Sequence, residues 1–111
     1  MTRRDHASRP RRESLRKRLG RTARRIDARD GCRCVYCGSA GGGTHLHLDH
    51  LTPRVAGGAD VPENLVVACR RCNTARGAMT LTQWAAYAAE TYSLTISPRA
   101  IRAQARRLLA A

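Results

Sequence analysis

Apolar residues in the first quarter of the chain recur at the spacing of one helical face. Between positions 13 and 28 they are Leu15, Leu19, Ala23 and Ile26. Arginines occupy most of the other faces, so the pattern predicts one amphipathic helix over residues 13–28. Gly20 weakens this helix without forbidding it, and Asp30 with Gly31 predicts a turn after it.

The middle of the chain changes to an alternation with a period of two. Residues 45–50 alternate between polar and apolar types, which predicts a short strand. Residues 51–63 contain two prolines and two adjacent glycines and predict a long loop, a feature that is usually functional in a compact domain. The apolar run 65–68 predicts a second short strand, and residues 69–78 are expected to turn into a helix.

Two further helices are predicted in the C-terminal part. Thr82 can cap a helix that runs to about residue 91 and is rich in alanine. Ser97 and Pro98 form a strong helix start, and the helix predicted there ends near Leu109. These elements predict a small α+β protein with helices at both ends. The chain divides accordingly into an arm, a core and a helical extension, at residues 1–28, 29–80 and 81–111.

The charge of the chain is strongly one-sided. Its 111 residues include 21 Lys and Arg against 8 Asp and Glu, a formal net charge of +13 at pH 7. Residues 1–29 hold eleven arginines and Lys17 against three acidic residues. Such a charge attracts polyanions, above all nucleic acid, through salt-dependent phosphate contacts. A disordered solubilising or targeting tail is the alternative for the arm, and no apolar run is long enough to predict a membrane span.

Four of the five cysteines form two Cys-x-x-Cys pairs, Cys34 with Cys37 and Cys69 with Cys72. Four thiolates at this spacing can close a tetrahedral zinc site. Disulfides are the alternative, but arginines stand where a signal peptide needs an apolar segment, which favours zinc in a cytosolic protein. A metal staple also suits a chain with no Phe and one Trp. Cys32 is left as a buried or free thiol.

Short motifs around these cysteines resemble the HNH endonucleases, in the order and phase that the family keeps. They include CVYCG (34–38), LDHLTP (48–53), GG (57–58), ENL (63–65), CRRCN (69–73) and RG (76–77). The resemblance covers about residues 29–78 and says nothing about the two flanks. It implies a ββα-metal fold, also called a His-Me finger, in which two strands, a loop and a helix surround one catalytic divalent ion. A four-cysteine zinc would brace this fold.

The resemblance also implies roles for four residues. His50 would be the general base, and Asn64 would hold the loop and orient that base. Asp49 and Asn73 would bind the catalytic ion, Mg²⁺ or Mn²⁺. Asn73 stands where many members have histidine, which indicates the H-N-N variant, and its amide oxygen suits magnesium or manganese. Since Asp49 and His50 are neighbours on a strand and point to opposite faces, one can serve the ion and the other the attacking water.

The expected function is metal-dependent cleavage of DNA, most simply duplex DNA, with 5′-phosphate and 3′-hydroxyl ends implied by the family. The candidates for phosphate contacts are Arg54, Arg70, Arg71 and Arg76; solvated side chains on an exposed helix face are the alternative. A homodimer or a protein partner such as a phage packaging component is a further expectation. The small size and composition suggest a phage, mobile-element or restriction-type enzyme, in the cytoplasm of a bacterial or phage-infected cell.

A zinc-stapled nucleic-acid-binding module without catalytic activity is the rival function. The arginine-rich arm would supply its affinity, and its catalytic centre would be unused. A catalytically inactive relative would be free to lose one of Asp49, His50 and Asn73, and this chain retains all three. The complete set therefore favours the nuclease. His45 and His47 are weaker candidates, and His47 is expected to line the strand.

Overall fold

A two-stranded antiparallel sheet lies at the centre of the computed structural model, which describes residues 14–40 and 46–107. The strands are β1 (Leu46–His50) and β2 (Leu65–Cys69). They pair along their whole length, so the first residue of β1 faces the last residue of β2. Both strands match the prediction to within one residue at each end, and His45 lies outside the described residues.

Helices precede and follow the two strands in the sequence. In the described part of the chain they are α1 (Leu15–Leu19), α2 (Arg21–Arg29), α3 (Arg70–Arg76), α4 (Leu81–Tyr92) and α5 (Pro98–Arg106). The order β1, β2, α3 confirms the small α+β class with a ββα core. None of these described helices is long and apolar enough to cross a membrane.

Strand β2 lies between two apolar clusters, which explains its uninterrupted apolar sequence. Leu65 and Val67 pack with Ile26 of α2 on one side. Val66 and Ala68 belong to a larger cluster on the other side, together with residues of α4 and α5. That cluster also contains Tyr36, Leu51, Leu81, Trp84, Ala88, Ile101 and Ala105. The helical extension therefore completes the core from the side opposite to the arm.

The prediction of a single helix over residues 13–28 is wrong in one respect. The structure has two helices, α1 and α2, separated at Gly20, whose φ of 53° is incompatible with a continuous right-handed helix. Ser14 caps α1 by accepting a hydrogen bond from the amide of Lys17 at 3.1 Å. Leu15 and Leu19 still pack beside Ile26, so the predicted apolar face survives the break.

The C-terminal helices begin close to where the sequence places them. The cap of α4 is Thr80 rather than Thr82, because Thr80 and Gln83 form a reciprocal capping box. Helix α5 begins as predicted, with Ser97 at the cap and Pro98 in the first turn. It extends to Arg106, and the predicted end near residue 109 lies outside the described residues.

A buried ion pair between Arg29 and Asp30 joins three parts of the fold. The guanidinium donates to the neighbouring carboxylate at 2.8 and 3.0 Å and to the backbone oxygen of Ala105 at 2.8 Å. The same carboxylate accepts from the amide of Val67 and from the side chain of Gln104, each at 2.8 Å. The pair therefore links the end of α2 to β2 and to α5, and both side chains are almost completely buried.

Replacing Asp30 by alanine should lower the free energy of unfolding by about 3–5 kcal/mol, because a buried guanidinium and a buried amide both lose their acceptor. The measurement is urea denaturation at a fixed zinc concentration. Asp27→Ala is the matched control, since Asp27 pairs with Arg16 at 2.8 Å in a partly exposed position and should cost at most about 1 kcal/mol. Equal losses in the two variants would contradict the role given to Asp30.

Candidate active site and metal centre

The four cysteines of the two Cys-x-x-Cys pairs come together in the structure. The Sγ atoms of Cys34, Cys37, Cys69 and Cys72 all lie within 4.8 Å of one another. The Sγ atoms of Cys37 and Cys69 are 3.7 Å apart. Tetrahedral zinc with Zn–S bonds of about 2.3 Å places its sulfurs about 3.8 Å apart, so a zinc ion fits this cluster. Cys32 lies outside the cluster and is an exposed free thiol.

Each cysteine pair is held by its own backbone. In the first pair, Gly38 adopts a φ of 78° and its amide donates to the carbonyl oxygen of Cys34 at 2.9 Å. The amide of Val35 donates to the oxygen of Val67 at 2.9 Å, which fastens this turn to β2. In the second pair, the amide of Cys72 donates to the sulfur of Cys69, which caps α3. The first cysteine pair is thus fastened to β2, and the second lies at the start of α3.

The electrostatics of the cluster favour a bound cation. Burial raises the pKa of the Cys34 thiol. Burial and the negative charge of Cys34 together raise the pKa of Cys72. Burial also acts on Cys69, but hydrogen bonds from Cys72 and its neighbours outweigh it and lower the pKa of that thiol. Four thiolates can coexist here only when a cation offsets their mutual repulsion.

An open cleft of about 690 Å³ lies at the end of β1, and both Asp49 and His50 line it. They are the last two residues of the strand. The other lining residues come from β1, from α1, from the loop after β1 and from the end of α3: Leu48, Leu15, Arg18, Pro53, Arg54, Val55, Arg76 and Gly77. The arm therefore contributes to the cleft through Leu15 and Arg18.

Asp49 is held by two donors inside the protein. The hydroxyl of Tyr36 donates to its Oδ2 at 2.6 Å, and Nη1 of Arg76 donates to the same oxygen at 2.7 Å. Burial and the charge of Asp49 raise the pKa of Tyr36, so this phenol stays a hydrogen-bond donor at neutral pH. Both donors therefore fix the carboxylate through one of its two oxygens.

Arg76 is buried, with only 2% of its surface exposed. Besides Asp49, its guanidinium donates to the backbone oxygens of His50 and Leu51, both at 2.8 Å, and of Met79 at 3.1 Å. The sequence placed Arg76 among the phosphate-contacting arginines, and this expectation does not fit a side chain whose donors are directed inward. Its position instead fastens the end of β1 to α3.

Asn64 closes the loop that follows β1. Its Oδ1 accepts from the amide of Thr52 at 2.8 Å, and its Nδ2 donates to the oxygens of Thr52 at 3.0 Å and Ala59 at 2.9 Å. The two ends of the loop therefore meet at one amide side chain. Gly58 permits this closure, since a Cβ atom there would lie 1.7 Å from the oxygen of Thr52 and 2.9 Å from Nδ2 of Asn64.

His50 has a partner that sequence reasoning missed. Its Nε2 lies 2.7 Å from Oδ1 of Asp60, a residue of the same loop. Arg54 donates to Asp60 at 2.9 and 3.1 Å, and Arg18 approaches it at 3.4 Å. Hydrogen bonds from His50 and then Arg54 lower the pKa of Asp60, so it is ionised at neutral pH. The only signal in the sequence was an acid two residues after Gly58 in a chain poor in acids.

The remaining predicted site residues lie on α3, in the loop after β1 and on β1. Asn73 is partly buried and stands three residues before Arg76, on a neighbouring face of the helix. It is not among the described residues that line the cleft. Arg70 and Arg71 are exposed at the start of α3, whereas Arg54 is exposed beside the cleft. His47 lines a different depression of the surface, next to α1.

Known proteins match the part of the chain that carries these features. Residues 34–78 match the family of HNH endonucleases. The chain is similar to the CRISPR-associated endonuclease Cas9 of Corynebacterium diphtheriae, with 40% identity over 58 residues, which are 51% of this chain and 5% of that protein. It is also similar to Cas9 of Actinomyces naeslundii, with 38% identity over 64 residues, which are 55% of this chain and 6% of that protein.

This chain thus spans only a small fraction of the length of these relatives, and no solved structure gives a significant match. The matched segment contains all four cluster cysteines, the Asp49 and His50 pair, and Asn64. The antiparallel strands and the following helix have the ββα order of that family. Residues 34–78 therefore form an HNH endonuclease domain, and their four-cysteine cluster fits the zinc-stapled variant of the family.

Proposed function

We propose that this chain cuts DNA by metal-dependent hydrolysis of phosphodiester bonds. The observation that carries the proposal is the pair Asp49 and His50, side by side in an open cleft of an HNH endonuclease domain. Each has a fixed environment, Asp49 through Tyr36 and Arg76 and His50 through Asp60. Fixed acid and base groups at the wall of a cleft are the arrangement that hydrolysis of a polymer requires.

His50 acts as the general base in this mechanism. A ring nitrogen takes a proton from a water molecule as the water oxygen bonds to phosphorus. The bond between phosphorus and the 3′ oxygen breaks, and that oxygen takes up a proton. The products then carry a 5′-phosphate and a 3′-hydroxyl. Asn64 contributes by closing the loop that carries the partner of His50.

The residues beside His50 fit a hard divalent ion. Tyr36 and Arg76 both donate to Oδ2 of Asp49, so we assign Oδ1 to Mg²⁺ or Mn²⁺. The resemblance to the family adds the amide oxygen of Asn73 as a second ligand, although Asn73 lies outside the lining of the cleft. When bound, the ion would supply positive charge against the phosphorane oxygens and the leaving 3′ oxygen. Arg76 holds Asp49 in place for this role and itself stays within the protein.

The charge distribution supports DNA as the substrate. The chain carries a formal net charge of +13, and Arg54, Arg70 and Arg71 are exposed in the structure. Exposed arginines bind phosphates without reference to sequence and release counterions. We therefore assign these three to the DNA backbone. A phage, mobile-element or restriction setting in bacterial cytoplasm, with a homodimer or a partner protein for double-strand breaks, completes the proposal.

His50→Ala should reduce nicking of supercoiled plasmid in Mg²⁺ or Mn²⁺ by about 10²- to 10⁴-fold, the usual contribution of a general base. EDTA should stop the wild-type reaction, and the variant should retain plasmid binding in a gel-shift assay. The matched control is His47→Ala, which removes another histidine from β1 outside the cleft and should cut at the wild-type rate. Wild-type cleavage by His50→Ala would refute this mechanism, and a wild-type protein that only retains plasmid would favour the binding module.

Cys72→Ser should remove the structural zinc and, with it, the cleavage activity. Because each kcal/mol is worth about 4–8 °C in a domain of this size, we expect Tm to fall by more than about 10 °C. Thermal denaturation and metal analysis of the purified protein measure the two effects. Cys32→Ser, which changes the exposed thiol outside the cluster, should keep zinc and Tm. If Cys32→Ser also lost zinc, the assignment of the four zinc ligands would be wrong.

Replacing Arg70 and Arg71 by glutamine should weaken DNA binding over all sequences. Removing two phosphate contacts should reduce the slope of log K against log salt by about 2. Fluorescence anisotropy with a labelled duplex over a range of salt concentrations measures this slope. The double lysine variant keeps both charges and should retain the wild-type slope. An unchanged slope in the glutamine variant would show that these side chains are only solvated.

A further inference from the structure

The carboxylate of Asp60 is the meeting point of three cationic or ionisable side chains at the cleft. Nε2 of His50 lies 2.7 Å from its Oδ1. Arg54 approaches the same carboxylate through Nε at 3.1 Å and Nη2 at 2.9 Å. Arg18 of α1 reaches Oδ2 at 3.4 Å. One acid of the loop therefore contacts the base of the proposed nuclease and two of the three arginines that line the cleft.

The contact between His50 and Asp60 determines which ring nitrogen carries hydrogen. Asp60 is ionised, since its hydrogen bonds lower its pKa, and an ionised carboxylate only accepts hydrogen bonds. Nε2 of His50 must therefore be the donor. In a neutral imidazole one nitrogen bears hydrogen and the other accepts, so Nδ1 is left with a free electron pair.

The position of Asp60 is itself fixed from several directions. Arg54 donates to both oxygens of the carboxylate, and Arg18 donates to Oδ2. The backbone oxygen of the preceding residue, Ala59, accepts a hydrogen bond from Nδ2 of Asn64. The loop is thus closed directly beside Asp60, and the residue can hold the imidazole ring in one orientation. With two arginines on one acid, this part of the cleft also keeps a net positive charge for an incoming phosphate.

From this geometry we infer that Asp60 is a positioning residue, which holds His50 with Nε2 protonated and directs Nδ1 to the attacking water. The inference deepens the proposed nuclease function and rests on it. As water oxygen bonds to phosphorus, its proton passes to Nδ1, and the Nε2 hydrogen stays in its bond to Asp60. The imidazolium formed in this step then faces a carboxylate, which stabilises its charge.

Loss of Asp60 has opposite effects on chemistry and on DNA binding. Without the acceptor, the ring of His50 can rotate and its two tautomers can exchange, which slows the chemical step. Arg54 and Arg18 lose their partner at the same time and become available to phosphate, which strengthens binding. A role in positioning therefore lowers kcat while KM stays constant or falls. A purely structural role would damage both constants.

The test compares Asp60→Ala with Glu63→Gln, which removes the same charge from the same loop at an exposed residue. We expect Asp60→Ala to lower kcat for plasmid nicking by about 10- to 100-fold, as loss of a residue that orients an active-site group typically does. KM should be unchanged or lower, and Glu63→Gln should match the wild type. In a His50→Ala background, Asp60→Ala should have no further effect on the residual rate. A wild-type kcat for Asp60→Ala, or a further loss without His50, would overturn the inference.

The tautomer of His50 gives a second readout that needs no catalysis. Nitrogen-15 NMR of the zinc-loaded protein should show the Nε2-protonated form in the wild type and a mixture in Asp60→Ala. The Nδ1-protonated form in the wild type would refute the role of Asp60 whatever the activity. The proposed nuclease fails separately, if His50→Ala cuts as fast as the wild type. The positioning role fails alone if His50→Ala is inactive and Asp60→Ala is unaffected.

Discussion

The buried pair of Arg29 and Asp30 is the interaction on which the arrangement of this fold depends. It connects the end of α2 with β2 and with α5, segments that lie up to 76 residues apart in the chain. A chain with no Phe and one Trp has little aromatic surface to hold such distant segments together. Burying two charges is costly unless every donor and acceptor finds a partner, and here the main chain supplies many of them. The geometry that results is specific, because a guanidinium presents its donors in a fixed plane.

A second buried arginine that pairs with a carboxylate and with main-chain oxygens lies at the cleft. Arg76 is enclosed by the carboxylate of Asp49, by main-chain oxygens of β1 and the following loop, and by the hydroxyl of Tyr36. It lies on α3, the helix that also carries Cys72 of the four-cysteine cluster. The cluster, the helix and the acid at the cleft therefore form one connected unit. The cluster is connected to Asp49 through Arg76 and also through Tyr36, which lies between Cys34 and Cys37 in the chain.

Much of this arrangement can be predicted from the sequence. The features that cannot be predicted depend on backbone conformation or on contacts between distant residues. The two strands and the cysteine cluster follow from local patterns and spacing, and the resemblance to the HNH endonucleases singles out the neighbours Asp49 and His50. The break at Gly20 does not, because a glycine within a helical pattern lowers stability without indicating which φ it adopts. The burial of Arg76 and the contact of Asp60 with His50 are long-range facts. In a chain with 21 basic residues, nothing local distinguishes an arginine that is enclosed from one that faces solvent.

The loop beside the cleft depends on the absence of a Cβ atom at Gly58. The loop turns back so tightly that the space of a single methyl group is already taken by the oxygen of Thr52. Any larger residue would separate Thr52 from Asn64 and release the closed loop that carries Asp60. Neither the four cysteines nor the apolar clusters include this position. A side chain at position 58 is therefore expected to disturb the loop around His50 while the cysteine cluster and the apolar clusters keep their contacts.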